Sequence, residues 1–320
     1  MRKTLLLAIT GLLIVSFRPI WGFFAHEKIN RLAVFTLPPE MIGFYKNNID
    51  YITDASVNPD KRRYAVAEEG ARHYLDVDHY GDSAITSLPH EWDDAVDRYS
   101  EDTLQAYGIL PWHIYAMYHR LRDAFIVKDP ARILRLSAEL GHYIGDAHVP
   151  LHTTENYNGQ LTGQEGIHGL WESRLPEVFS SNYDFFVGKA EYIPDPRAAV
   201  WNMIESAHSQ VDIVLAEERK LAARYEEKKY AFETRGKVTV KVYAPEYARD
   251  YHEMLDGMVE KQMRASVKMI GDFWYTAWVD AGQPDLRRLI DYKPSEEELR
   301  ENREALARWR EGRLKMRGHE

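Results

Sequence analysis

The sequence predicts an all-α domain, and three observations support that fold class. Long stretches repeat apolar residues at the three- and four-residue spacing of a helix face. Helix starts are marked by a capping residue that is followed directly by a proline, as at Asp129 and Pro130. Alternation typical of a strand occurs at Val238, Val240 and Val242, which predict at most one short strand or β-hairpin.

The N-terminal segment is typical of a secretory signal. Its uncharged apolar run, Thr4–Phe17, is 14 residues long, which is shorter than the roughly 20 residues that a bilayer-spanning helix needs. We interpret residues 1–20 as a signal peptide or N-terminal anchor. The protein is then exported, to the periplasm or the extracellular space, and is membrane-anchored if the segment is retained. A cut before Trp21 would place Arg18 and Ile20 where small residues are usual, so the mature start stays open.

The remaining chain is interpreted as one helical domain, residues 21–290, followed by a charged C-terminal helix or tail, residues 291–320. A loop rich in glycine and amide side chains, Thr153–Gly166, interrupts the helices. The predicted helices are His26–Phe35, Glu40–Asn48, Asp102–Val127, Pro130 to about Pro150, Ile167–Pro176, Pro196–Glu227 and Pro245–Val279.

Composition narrows the chemistry that the protein can perform. Hydrophobic residues make up 45% and charged residues 28% of the 320 residues, as in ordinary soluble proteins. The chain has no cysteine, which excludes disulfides, thiolate nucleophiles and cysteine-bound metal clusters. Its net charge of −9 argues against broad, charge-driven binding to nucleic acid or anionic lipid, though not against a local site, and we expect no stable nucleic-acid complex. A metal ion would have to bind histidine, aspartate, glutamate or backbone atoms.

Histidine and acidic residues cluster between residues 142 and 172. His142 and Asp146 are four residues apart in a predicted helix and share one face, and His168 and Glu172 repeat that spacing in the next helix. His152 lies between the two pairs. Imidazole and carboxylate groups bind zinc, manganese or iron, so spacing and residue type leave the identity of the metal open.

The same residues resemble a motif of the zinc-dependent phospholipase C family, whose superfamily also contains the zinc-dependent single-strand nucleases. Residues 142–152 read HYIGDAHVPLH, and residues 166–172 read GIHGLWE. The family pattern also has an N-terminal tryptophan and histidine, an isolated aspartate and a further histidine. The matching residues are, in that order, Trp21, His26, Asp54 and His73.

This resemblance implies a multi-helix fold of that superfamily with three bound zinc ions. The first ion would be held by Asp54, His73, His142 and Asp146. Asp146 would bridge to a second ion, completed by His26 and by the main-chain amine and carbonyl of Trp21, a site that depends on where the signal is cut. The third ion would be held by His152, His168 and Glu172. Asp54 is also the candidate catalytic residue, which would orient or deprotonate a metal-bound water.

The resemblance implies a zinc-dependent phosphodiester hydrolase, and our leading hypothesis is phospholipase C-like cleavage of phospholipid to diacylglycerol and a phosphorylated head group. Glu172 favours this branch, because the nucleases usually carry aspartate there. A phospholipid substrate implies peripheral contact with a membrane. Two alternatives stay open: a single-strand nuclease or 3′-nucleotidase, and an envelope protein of low activity in which zinc serves folding. The oligomeric state is open too.

Two further features lie close to the motif in sequence. His148 has no counterpart in the family pattern, and we interpret it as forming a local hydrogen bond and not as an additional ligand. The basic run Lys61, Arg62 and Arg63 could contact phosphate, but a solvent-exposed turn is the favoured interpretation.

Overall fold

Helices dominate the computed structural model, which describes residues 21–300 except 64, 82, 236, 237 and 298, together with residue 304. This confirms the predicted helical class, and an antiparallel hairpin confirms the short β element. The predicted signal segment, residues 1–20, and most of the tail beyond residue 300 lie outside the described residues. In the part of the chain that is described, no helix is long and apolar enough to span a bilayer.

The helices are named in chain order: α1 (Trp21–Ala33), α2 (Pro39–Asn47), α3 (Ile49–Ala55), α4 (Asn58–Arg62), α5 (Ala84–Ser87), α6 (Trp92–Tyr99), α7 (Glu101–Tyr107), α8 (Leu110–Val127), α9 (Pro130–Asp146), α10 (Leu175–Phe179), α11 (Pro196–His208), α12 (Val211–Tyr225), α13 (Pro245–Met254) and α14 (Met258–Asp280). A π-helix covers Gly169–Arg174. Short 3₁₀ turns cover Val34–Thr36, Ala67–His73, Val77–Tyr80, Pro150–Thr153, Ser180–Asn182, Glu226–Lys229 and Arg287–Leu289. The strands are β1 (Tyr230–Arg235) and β2 (Val238–Tyr243).

The predicted helix Asp102–Val127 is α7 and α8 in the structure, with Gly108 and Ile109 between them. The two longest predicted helices are also divided. The segment predicted as one helix from Pro196 is α11 and α12, which are separated by a two-residue turn after His208. The segment predicted from Pro245 is α13 and α14, and Gly257 between them has a left-handed φ of +73°. The apolar spacing continues across both breaks, so the sequence pattern concealed the turns.

Helices α8, α9 and α14 pack against one another, and α1 packs against α9 and α14, to form the main core. Trp274 of α14 is fully buried, stacks on Tyr45 with ring centres 5.0 Å apart, and donates its indole N–H to the Ser137 carbonyl of α9 at 3.0 Å. The start of α9 is the predicted one: the Asp129 carboxylate accepts a hydrogen bond from the Arg132 amide at 3.1 Å. Such a cap contributes about 1 kcal/mol.

Two glycines on α9 allow α1 to approach closely. A Cβ on Gly141 would lie 2.0 Å from Asn30 Oδ1, and a Cβ on Gly145 would lie 3.0 Å from His26 Nδ1. Because neither position carries a side chain, α1 packs directly on the face of α9 that carries His142. The His26 and His142 rings stack with their centres 4.0 Å apart.

Candidate metal centre

Within the described residues, eight metal-capable side chains converge where α1, α4, the 3₁₀ turn Ala67–His73 and α9 meet the segments that follow α9. Each is at most 9% exposed. They form three groups whose donor atoms lie within 4.8 Å of one another in each group. The groups are Asp60, His73 and His142; His26, His142 and Asp146; and His152, His168 and Glu172.

The group of Asp60, His73 and His142 also contacts one oxygen of Asp146. Asp146 Oδ2 lies 3.0 Å from His73 Nδ1 and 3.3 Å from His142 Nε2. Asp60 Oδ1 lies 3.8 Å from His73 Nδ1 and 3.9 Å from His142 Nε2. Donors held 2.0–2.1 Å from a tetrahedral zinc ion would be about 3.3 Å from each other, so this spacing fits a bound divalent ion.

His26 connects the two carboxylates of the centre. Its Nε2 lies 3.3 Å from Asp146 Oδ1 and 3.5 Å from Glu172 Oε1. The two oxygens of Asp146 therefore face different groups, which is the position of a bridging carboxylate. Trp21 begins α1, five residues before His26. The ligand role of its amine and carbonyl stays a prediction.

The group of His152, His168 and Glu172 is aligned by backbone hydrogen bonds. Glu172 Oε2 lies 3.4 Å from His152 Nε2 and 2.7 Å from His168 Nε2. The opposite nitrogens bind carbonyls: His152 Nδ1 donates to His73 O at 2.5 Å, and His168 Nδ1 donates to Tyr157 O at 3.0 Å. Metal-binding histidines are usually oriented in this way, with the second ring nitrogen donating outward.

Asp54, the expected aspartate of the first zinc site, lies apart from the three donor groups, and Asp60 lies beside His73 and His142 instead. Asp54 is exposed and belongs to none of the three groups formed by the described residues. The reason is helical phase, because Ile52 and Ala55 turn the other face of α3 into the core. The next helix, α4, begins at Asn58 with Pro59 in its first turn, and it carries Asp60 at the centre. The phase of α3 was the signal that could have shown Asp54 to be on the solvent face.

The basic run beside Asp60 is mostly buried, so the expectation of a solvent-exposed turn is wrong. Arg63 donates to Asp60 Oδ1 at 3.2 Å and is 4% exposed. Lys61 donates to Asn58 Oδ1 at 3.2 Å and lies over the Phe23 ring. Packing of α4 against the body covers these side chains. Arg63 consequently orients and partly neutralises the Asp60 carboxylate.

The shifted pKa values of its side chains indicate that the centre favours a bound cation. Burial alone would lower the pKa of His26, but hydrogen bonds to Asp146 and Glu172 outweigh it and raise that pKa to about 10. Burial alone would raise the pKa of Asp146, yet the attraction of His142 and His152 holds it well below its usual range. Burying three carboxylates is costly unless cations compensate them. The imidazole and carboxylate groups of this centre are a donor set compatible with zinc.

Glu69, a buried acid that lies beside His73, was not identified from the sequence. Glu69 is fully buried, accepts hydrogen bonds from Arg62, Arg72 and Tyr143, and lies 3.8 Å from His73 Nε2. Burial opposes its ionisation, but the charge of Arg62 prevails and lowers the pKa of Glu69 to about 2. Its position four residues before His73 is a sequence signal that could have identified it, whereas its contacts with Arg62 and Tyr143 depend on tertiary packing.

The loop Thr153–Gly166 is held in place by its own amide side chains. Asn158 Oδ1 accepts hydrogen bonds from the backbone amides of Gly166 at 3.0 Å and His168 at 3.4 Å. Gln164 donates to the buried Glu218 at 2.6 Å. These bonds fix the start of the helix that carries His168. His148, as expected, makes a local bond: its Nδ1 donates to Ile144 O at 2.7 Å.

No protein-family model matches this sequence, and no curated protein matches it. The function proposed below is therefore argued from the sequence motif and from the geometry of the centre.

Proposed function

We propose that this protein is a zinc-dependent phosphodiester hydrolase of the phospholipase C type, acting on phospholipid outside the cytoplasm. The observation that carries the proposal is the continuity of the three donor groups. His142 belongs to two of them, and Asp146 and Glu172 each present one oxygen to His26 and the other to a neighbouring histidine. Adjacent metal ions joined by carboxylates suit the hydrolysis of phosphate esters.

The residues of the centre would have different roles in hydrolysis. Metal ions held here would polarise the phosphoryl oxygens and lower the pKa of a bound water toward 7. The chain's own contribution is to position them: Asp146 links two groups, and the outward bonds of His152 and His168 keep their Nε2 atoms directed at Glu172. The carboxylate that the motif assigned to Asp54 is supplied by Asp60, which Arg63 orients. Asp60 therefore takes the ligand and water-orienting role proposed for that position.

A lipid substrate fits the charge of the protein better than a nucleic acid does. The net charge of −9 repels nucleic acids at long range, whereas a zwitterionic lipid such as phosphatidylcholine is not repelled, and an anionic surface would need a local basic site. Export is proposed on the strength of the apolar run Thr4–Phe17, and it would place the enzyme where membrane surfaces are accessible.

A single-strand nuclease is the second candidate, and one observation favours it. A pocket of about 410 Å³ beside the centre is lined by Arg63 and Tyr74, together with Glu68, Gly70 and Gln105. An arginine for phosphate and a tyrosine for base stacking are what a single-stranded substrate requires.

The deciding experiment compares two substrates on one metal-loaded preparation. We expect release of phosphorylated head group from phosphatidylcholine vesicles, loss of that activity with a chelator, and its return with zinc. Release of nucleotides from single-stranded DNA at a higher rate would favour the nuclease. Tight metal binding with neither activity would support the third hypothesis, in which zinc serves folding.

A further inference from the structure

We infer that the β1–β2 hairpin is a docking element that binds the surface of an anionic lipid membrane next to the third donor group. Its strands pair in the register Tyr230 with Tyr243, Phe232 with Lys241 and Thr234 with Thr239. These pairs share one face, because side chains alternate along a strand. That face is outward at Phe232 and Lys241, whereas Tyr243, at the base of the hairpin, is buried against the body. The inference rests on the proposed function, because it names the membrane surface at which lipid would be hydrolysed. Its test measures binding and does not require hydrolysis.

The outward face is both apolar and basic. Phe232 is 74% exposed, which is unusual for a side chain in a paired strand. Lys241, its cross-strand partner, is exposed and extends its ammonium to 3.6 Å from the centre of the Tyr230 ring. A phenylalanine beside cationic and aromatic groups is the combination that partitions into the head-group region of a membrane.

Charge selects an anionic surface as the occupant. Between residues 230 and 243 the sequence has three basic residues, Arg235, Lys237 and Lys241, and one acid, Glu233. Glu233 is paired with Arg174 at 2.5 Å, on the face turned toward the body of the protein. The hairpin is thus positive in a chain whose net charge is −9. Basic residues near an anionic bilayer each strengthen binding about fivefold.

The inward contacts connect the hairpin to the candidate centre. Arg174, which holds Glu233, is two residues after Glu172 on the same π-helix. Tyr243 donates to the carbonyl of Glu165 at 3.5 Å, and its hydroxyl would lie 2.9 Å from a Cβ on Gly166. The hairpin therefore rests on the segment that carries His168 and Glu172. A membrane that binds its outer face lies close to that donor group.

A nucleic acid is less well matched to this face. Non-specific binding of single strands requires several aromatic platforms along a basic groove. The described hairpin residues offer two exposed rings, Phe232 at 74% and Tyr230 at 37%, and Lys241 lies over the Tyr230 ring, so they do not form a row of stacking platforms.

The test measures sedimentation with vesicles of phosphatidylcholine alone and with added phosphatidylglycerol, at low and high salt. Wild-type protein should prefer the anionic vesicles and lose binding at high salt. Phe232→Ala should weaken binding about five- to tenfold and Lys241→Gln about fivefold. Phe186→Ala is the matched control, because Phe186 is 84% exposed but lies outside the hairpin. Its binding should equal that of the wild type.

Thermal melting checks the fold of each variant, and hydrolysis of the soluble ester bis(p-nitrophenyl) phosphate tests the centre separately. Both hairpin variants should keep the wild-type rate on that ester. The inference is overturned if the wild type shows no preference for anionic vesicles, if Phe186→Ala weakens binding as much as Phe232→Ala, or if the hairpin variants lose affinity for single-stranded DNA instead of vesicles. Absence of ester hydrolysis with intact vesicle binding would count against the proposed function alone.

Discussion

Replacing Asp60 by asparagine should remove metal from the centre, whereas the same change at Asp54 should not. Asp60 is 9% exposed. Its Oδ1 lies 3.8 Å from His73 Nδ1 and 3.9 Å from His142 Nε2, and it accepts a hydrogen bond from Arg63 at 3.2 Å. Asp54 is exposed and belongs to none of the three donor groups. The two aspartates are six positions apart in the chain, so the pair is a matched comparison of one substitution in two environments.

The expected size of the effect comes from the contacts that Asp60 makes. An asparagine at this position would keep the volume but lose the negative charge that compensates the metal and Arg63. Mutation of groups that only orient metal ligands lowers affinity by 10–100-fold, so loss of a direct ligand should cost about 100-fold or more, or roughly 3 kcal/mol. Hydrolysis of a soluble phosphodiester should fall at least as much, because the metal positions the reacting phosphate.

The assay is metal content by mass spectrometry after dialysis against a weak chelator, with thermal melting as a check on folding. Asp60→Asn should retain less metal than the wild type, and Asp54→Asn should match the wild type in metal and activity within about twofold. The reverse result, with metal lost at Asp54→Asn and retained at Asp60→Asn, would refute the placement of Asp60 at the centre.

Three further predictions concern stability. Gly141→Ala should lower the free energy of unfolding by about 1–3 kcal/mol in a denaturant titration, because its Cβ would lie 2.0 Å from Asn30; an unchanged midpoint would contradict the close contact of α1 and α9. The folded-state pKa of Glu69, about 2, is below its ordinary value of 4.5, so its stabilisation is present above about pH 4.5 and lost as the pH falls toward 2. In Glu69→Gln, the free energy of unfolding should depend less on pH in this range. A pH dependence parallel to that of the wild type would contradict the lowered pKa of Glu69. Asp129→Ala should cost about 1 kcal/mol by removing the cap on Arg132, measured as a lower melting temperature.

The helical class and much of the centre could be predicted because their signals are local. The spacing of His142 and Asp146 along one helix determines that both side chains leave the same face, and α9 places them there. The strand pattern of three valines predicted β2 correctly. Its partner β1 was not predicted, because Tyr230–Arg235 has no regular alternation of apolar and polar residues.

The remaining features depend on contacts between distant segments. Glu69 supports His73 through Arg62 and Tyr143, and nothing near Glu69 in the sequence indicates that network. A motif gives the order of ligand types along a chain, but several acids can satisfy an isolated position. The phase of α3 could have excluded Asp54, but the position of Asp60 beside His73 depends on how α4 packs.

Anomalous X-ray scattering at the zinc edge, on crystals of protein purified with zinc, tests the central claim most directly. We predict peaks at the three donor groups, with one bound by Asp60, His73, His142 and Asp146 at about 2.0–2.2 Å. Protein that retains less than one metal ion per chain, or crystals with no peak among these side chains, would contradict the account.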